Sequence, residues 1–70
     1  MNDYLIIYEQ GEDGGWGAYS PDVEVVIAVG SSREEVEQRM SEAMVAHLEV
    51  MRHEGVPTPV PRSTPGYLAA

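Results

Sequence analysis

The chain lacks cysteine, lysine and phenylalanine altogether. With no cysteine, disulfides are excluded and the redox compartment is left open, a reduced intracellular setting being compatible. With no lysine, the four arginines are the only fixed positive charges against twelve acids, and the net charge is −8. That balance is hostile to a phosphate backbone, so direct nucleic-acid binding is not expected. It favours a basic partner, because opposite fields speed encounter; the plainer alternative is that the charge only keeps a small protein soluble. With no phenylalanine, any large aromatic filler must come from Trp16 and the tyrosines. No apolar run is long enough to span a bilayer. No charged-then-apolar signal opens the chain either, since Met1, Asn2 and Asp3 lead directly into a strand-like run. A cytoplasmic protein is the expectation.

Seventy residues set a single domain, residues 1–70. A chain this short buries only about 60% of the surface its unfolded form exposes. Small domains compensate with disulfides, metals or self-association, and the first of these is closed here.

What is present is organised around Ser31 to Gly55. Val36, Met40, Ala43, Met44, His47, Leu48 and Met51 recur at steps of three and four, which places them on one stripe of a helix. Glu34, Glu37, Gln38, Glu42, Glu49 and Arg52 fall largely outside the stripe. Ser32 with Glu35, or Ser31 with Glu34, makes a capping box, and the early glutamates suit the positive end of the helix dipole. Arg52 and His53 suit the other end, Gly55 can take a left-handed cap and Pro57 forbids continuation. The spacing predicts a helix over about 32–54.

Ahead of it, residues 3–9 (DYLIIYE) read as a strand with both faces apolar, Tyr4, Ile6 and Tyr8 on one and Leu5 and Ile7 on the other. That suits a central strand covered on two sides, or a strand covered on one side by the helix and on the other by a second copy. Residues 10–15 are a turn cluster. Residues 16–20 form a second, antiparallel strand in which Gly17 hints at a bulge or a close neighbour, and Pro21-Asp22 breaks it. Residues 23–29 (VEVVIAV) form a third strand. Strict alternation puts Val23, Val25, Ile27 and Val29 on one face and Glu24, Val26 and Ala28 on the other. A strand so apolar is a pairing hazard if bare at an edge, so a partner or second subunit is expected to cover it. Residues 56–65 carry four of the five prolines and favour an extended path. Residues 66–69 read as a short fourth strand in preference to a frayed tail.

The residues that could carry chemistry each have a structural explanation. The glycines around Glu12 and Asp13 fit neither a P-loop nor a dinucleotide fingerprint, and the acids would repel phosphate; a hairpin is the better reading. His47 and His53 lie on different sides of the helix, so they are not the i, i+4 pair of a zinc site. Asp3, Glu9, Glu12, Asp13, Asp22 and Glu24 fall at strand ends and turns, and no nucleophile–base pairing is readable. Neither enzyme activity, metal nor cofactor is expected. Tyr4, Tyr8, Trp16 and Tyr19 are either core fillers or an aromatic face that anchors a partner, and the sequence leaves the two readings level.

The order Tyr4 to Glu9, Gly11 to Trp16, Tyr19 to Val23, Gly30 to Val36 and Pro57 to Pro61 resembles the HicB-type antitoxin domain, over residues 4–62. No single motif is decisive; order and spacing carry the likeness. The resemblance implies an α+β fold of β-β-β-α-β order, a three-stranded antiparallel sheet with one helix packed on it and a short fourth strand beside the first, like a trimmed ribonuclease-H sheet. It implies a type II antitoxin that neutralises a small basic HicA-type mRNA-cleaving toxin, and a homodimer or homotetramer. Contact residues expected on this reading are Glu12, Asp13, Trp16, Tyr19 and Asp22. The alternative is a stand-alone oligomeric protein of the same fold with no toxin partner. The family usually has Pro-Gly soon after Pro-Asp, where this chain has Glu24-Val25. Many relatives also carry a DNA-binding segment, for which no room follows residue 62, so operator binding is not expected.

Overall fold

The computed structural model describes residues 3–70; Met1 and Asn2, read above as the lead into the first strand, lie outside the described residues. The element order is β1 Ile7–Gln10, β2 Trp16–Ser20, β3 Val23–Gly30 and α1 Arg33–His53. The strands form one antiparallel sheet in the order β1-β2-β3, with the helix packed on one face. The fold is α+β.

β1 corrects two expectations: it pairs only from Ile7 and it is an edge strand, with β2 at the centre. The cause is the length of its neighbour. β2 supplies five residues before Pro21, which has no N–H to donate. Ile7 faces Tyr19 and Gln10 faces Trp16, so residues 3–6 have no ladder partner. The connecting loop closes tightly. Gly14 N donates to the Gly11 carbonyl at 3.0 Å, and Gly11 N to the Gly15 carbonyl at 2.8 Å. Asp13 accepts from Gly15 N at 2.9 Å, and Gly14 sits at φ 86°, where a side chain would be strained.

The β2–β3 link decides which side chains meet the helix. Ser20 faces Val23 across Pro21-Asp22, yet the next pair is Tyr19 with Ile27. Glu24, Val25 and Val26 therefore stand against a single step of β2, a bulge that reverses the alternation of β3. No non-glycine residue has positive φ among the described residues, so this link is not the mirror-image turn that matches strand twist, and the ladder shifts at once. Val23 joins Val26 and Ala28 in the core, while Val25, Ile27 and Val29 face away. The grouping of Val23 with Val25, Ile27 and Val29 expected from strict alternation is thus corrected. Gly17 is not the bulge; it pairs regularly with Val29.

The helix is built as its sequence dictates. Ser32 caps it, its Oγ accepting from Glu35 N at 3.2 Å. Glu35 reaches back to the N–H of Ser31 at 2.8 Å, one residue before the cap. At the other end Gly55, at φ 73°, donates to the Arg52 carbonyl and Val56 N donates to that of Met51, the paired bonds of a Schellman close. Val36, Met40, Met44 and Leu48 are buried against Ala18, Val23, Val26 and Ala28. Full burial of each such large side chain contributes about 1.5–3 kcal/mol. Arg39 ties the helix to the sheet by donating to the Val29 carbonyl at 2.7 Å.

Residues 56–70 form no strand, so the fourth strand expected over 66–69 is absent, and with it the added edge beside β1. The reason is visible in the hydrogen bonds. Three prolines between Pro57 and Pro61 have no N–H to give to a ladder. The N–H groups of Arg62 and Ser63 are both taken by the Asp22 carboxylate, each at 3.1 Å. Tyr4 adds a second tie by donating its hydroxyl to the Pro59 carbonyl. The segment is a strap across the end of the sheet.

Candidate interaction surface

The uncovered face of the sheet carries exposed apolar side chains. In-register pairing sets Ile7, Tyr19 and Ile27 side by side across three strands. Val25, Ile27 and Val29 are 74%, 68% and 68% exposed, and Tyr19 is 38% exposed. Among the described residues the outer edge of β3 has no strand partner, and Arg39 takes only its Val29 carbonyl. The rest of that edge and its apolar side chains are therefore available together, the combination that natural edge strands usually disguise with charge. Glu24 is the one charge in β3, and it lies at the strand's start.

The five contact residues expected from the sequence do not share this surface. Glu12 and Asp13 are exposed at the β1–β2 loop, where Asp13 is engaged with Gly15 N. Asp22 lies at the opposite end of β2 and holds the strap. Its hydrogen bonds from Arg62 N and Ser63 N, followed by that from the Ser63 hydroxyl, lower its pKa. Trp16 packs against the core on the helix side; Tyr19 looks the other way. Of the aromatics of the first two strand regions, Tyr4, Tyr8 and Trp16 are partly buried fillers of the helix-side core, and Tyr19 is on the open face.

Tyr8 has the most elaborate surroundings of these. The Arg33 guanidinium lies 4.9 Å from its ring centroid, a cation–π arrangement. Burial, and after it the Glu37 carboxylate, push the phenol pKa up, against the opposing pull of Arg33. Tyr4, Ile6 and Tyr8 form one side of a hollow of about 290 Å³, with Met40 and Met44 on the helix side and Asp3 and Glu37 also lining it. It exists because no strand lies outside β1.

Acid covers much of the remaining surface. Glu34, Glu37, Glu42, Glu49 and Glu54 are exposed along the helix. Arg33 with Glu37 at 3.1 Å and Arg39 with Glu35 at 3.5 Å are the ion pairs among the described residues. Most of the negative charge is therefore not neutralised locally. Glu35 is held below the usual carboxylate pKa range by the Ser31 N–H and then by Arg39. His47 is half-buried in a groove with Pro59, Val60 and the start of β3, and His53 is exposed at the helix end. Among the described residues no group of three or more His, Asp or Glu is placed to hold a metal ion, and no helix is long and apolar enough to cross a membrane.

Neither family models, nor curated proteins, nor solved structures match this chain.

Two functional features were not read from the sequence. The strap depends on Asp22 meeting residues 40 and 41 positions away, and the only local signal was an acid in a turn. The removal of Val23 from the open face depends on the bulge, whose only signal was the Pro21-Asp22 break.

Proposed function

We propose that this chain is a non-enzymatic binding protein whose partner is basic. The observation that carries the reading is the excess of exposed, unpaired carboxylate on the helix and the β1–β2 loop, within a net charge of −8. Such a surface steers a positively charged protein toward it and repels nucleic acid. The sequence likeness to HicB-type antitoxins names the kind of partner: a small basic HicA-type RNA-cleaving toxin, whose RNA-binding surface this acid would cover. Glu12 and Asp13 are placed to take part at the loop tip, and Tyr19 from the open face. Titration of a basic HicA-like protein with this chain, followed by calorimetry and by RNA cleavage, tests the proposal. The expected outcome is binding that weakens as salt rises, with loss of cleavage. No binding at low salt would overturn it.

A second reading, a stand-alone self-associating protein, is favoured by a different observation. The β3 edge and the Val25, Ile27 and Val29 face are bare together, and a strand so exposed pairs readily with a copy of itself. The concentration dependence of mass in sedimentation equilibrium tests it; a monomer at all concentrations would end it.

A further inference from the structure

We infer that residues 64–70 form an exchange arm, which leaves its own body and packs Tyr67 and Leu68 on the open β3 face of a second copy. The inference rests on the self-association reading and names the contact that makes it.

The path of the chain carries the argument. The strap is fixed as far as Ser63 by the Asp22 carboxylate, which takes the backbone N–H at 3.1 Å and the hydroxyl at 3.1 Å. Beyond that anchor every residue is exposed, with Tyr67 98% and Leu68 94% open to solvent. These are the two largest side chains of the segment, and among the described residues nothing covers them. The same chain leaves Val25, Ile27 and Val29 bare. Two apolar surfaces of one molecule thus stand open at once, and between copies each covers the other. The overall shape agrees. A compact chain of this length has a radius of gyration of about 11 Å, and this one has 13.4 Å with a longest extent of 41 Å.

Length and charge select the acceptor. Seven extended residues span about 23 Å, and the eight of β3 about 26 Å, at roughly 3.3 Å per residue. The arm begins beside β3, because Val60 and Arg62 share a groove with Asp22, Glu24 and Val25. Residues 63–70 contain no charged side chain, and β3 contains only Glu24. In a molecule of net charge −8, these two stretches meet with little like-charge repulsion. Reciprocal exchange places both arms in one two-fold interface and closes the assembly, which is how segment exchange makes dimers at little cost. A tyrosine beside an aliphatic residue is a common anchor of such interfaces.

The experiment compares the wild-type chain with the Tyr67→Ser, Leu68→Ser double variant by sedimentation equilibrium. Both side chains are fully exposed, so the fold of the body is retained, which circular dichroism checks. The expected result is a wild-type mass of twice 7.7 kDa and a double variant at 7.7 kDa. In a mixed sample of isotope-labelled and unlabelled wild-type chains, contacts from Tyr67 and Leu68 to the Val25, Ile27 and Val29 methyl groups are expected between chains. A wild type at 7.7 kDa overturns both the arm and the self-association reading. A dimer that survives the double substitution, or arm contacts confined to one chain, overturns the arm alone.

Discussion

Asp22 holds Ser63 through both of its carboxylate oxygens, one accepting the backbone N–H and the other the hydroxyl. A residue of the β2–β3 turn thereby fixes a segment 41 positions later. The bond fixes the strap and gives the arm its root.

The contact makes stability depend on pH in one direction. These bonds favour the charged carboxylate and hold its folded pKa below the ordinary value. Its contribution is complete above the unfolded pKa of about 3.9 and is lost as pH falls from there through the lowered folded value. Asp22→Asn removes the titrating group. The wild type should exceed this variant in melting temperature at neutral pH, with the gap closing below about pH 4. A gap that stays constant across that range would show that Asp22 is not linked to folding.

Ser20 is fully buried and its hydroxyl has no hydrogen-bond partner among the described residues. An unmade buried hydrogen bond costs about 1–3 kcal/mol. Ser20→Ala should therefore stabilise the chain, by about 1 kcal/mol after the small loss of packing. Urea unfolding measures it; a clear loss of stability would mean that the hydroxyl has a partner in solution.

Met40 is among the least exposed side chains and sits at the middle of the buried stripe. Met40→Ala should cost about 2–5 kcal/mol. At about 0.05–0.15 kcal/mol per residue, the whole chain holds roughly 4–10 kcal/mol, so the variant should be largely unfolded on warming. Met51→Ala, at the half-buried end of the stripe, should cost distinctly less. Equal losses at the two positions would contradict the placement of the core.

Gly30 approaches the helix start closely. A Cβ there would lie 2.5 Å from Glu35 Oε1 and 3.0 Å from a Val36 methyl. Gly30→Ala should displace Glu35 from the Ser31 N–H and lower the melting temperature by several degrees. Adding Glu35→Ala should then cost less than it does in the wild type, because the bond it removes is already broken. A double-variant cycle reads the coupling; strict additivity would show that the clash is absorbed elsewhere.

The helix was the most legible part of the chain. Its stripe, its Ser32 cap and its Gly55 close all lie within contacts of a few residues, so local spacing sufficed to bound it within one residue at each end. β2 was legible for the same reason, between a turn and a proline. The length of β1 was not, because a strand ends where its neighbour ends, and that neighbour is set by pairing. Of the expected contact residues, Trp16 and Tyr19 looked alike as aromatics of one short strand; their odd separation along it puts them on opposite faces.

Composition and periodicity by themselves determined a small acidic chain without disulfides, three strands followed by one amphipathic helix, and a third strand more apolar than one helix can cover. Tertiary structure alone decided which side of that strand is bare. A single shift in register between Tyr19 and Ser20 moves Val23 into the core, off the outward face that Val25, Ile27 and Val29 share. Side-chain direction alternates with every residue, so a local bulge decides the facing of all that precede it in the strand, and no pattern of hydrophobicity records where the bulge falls.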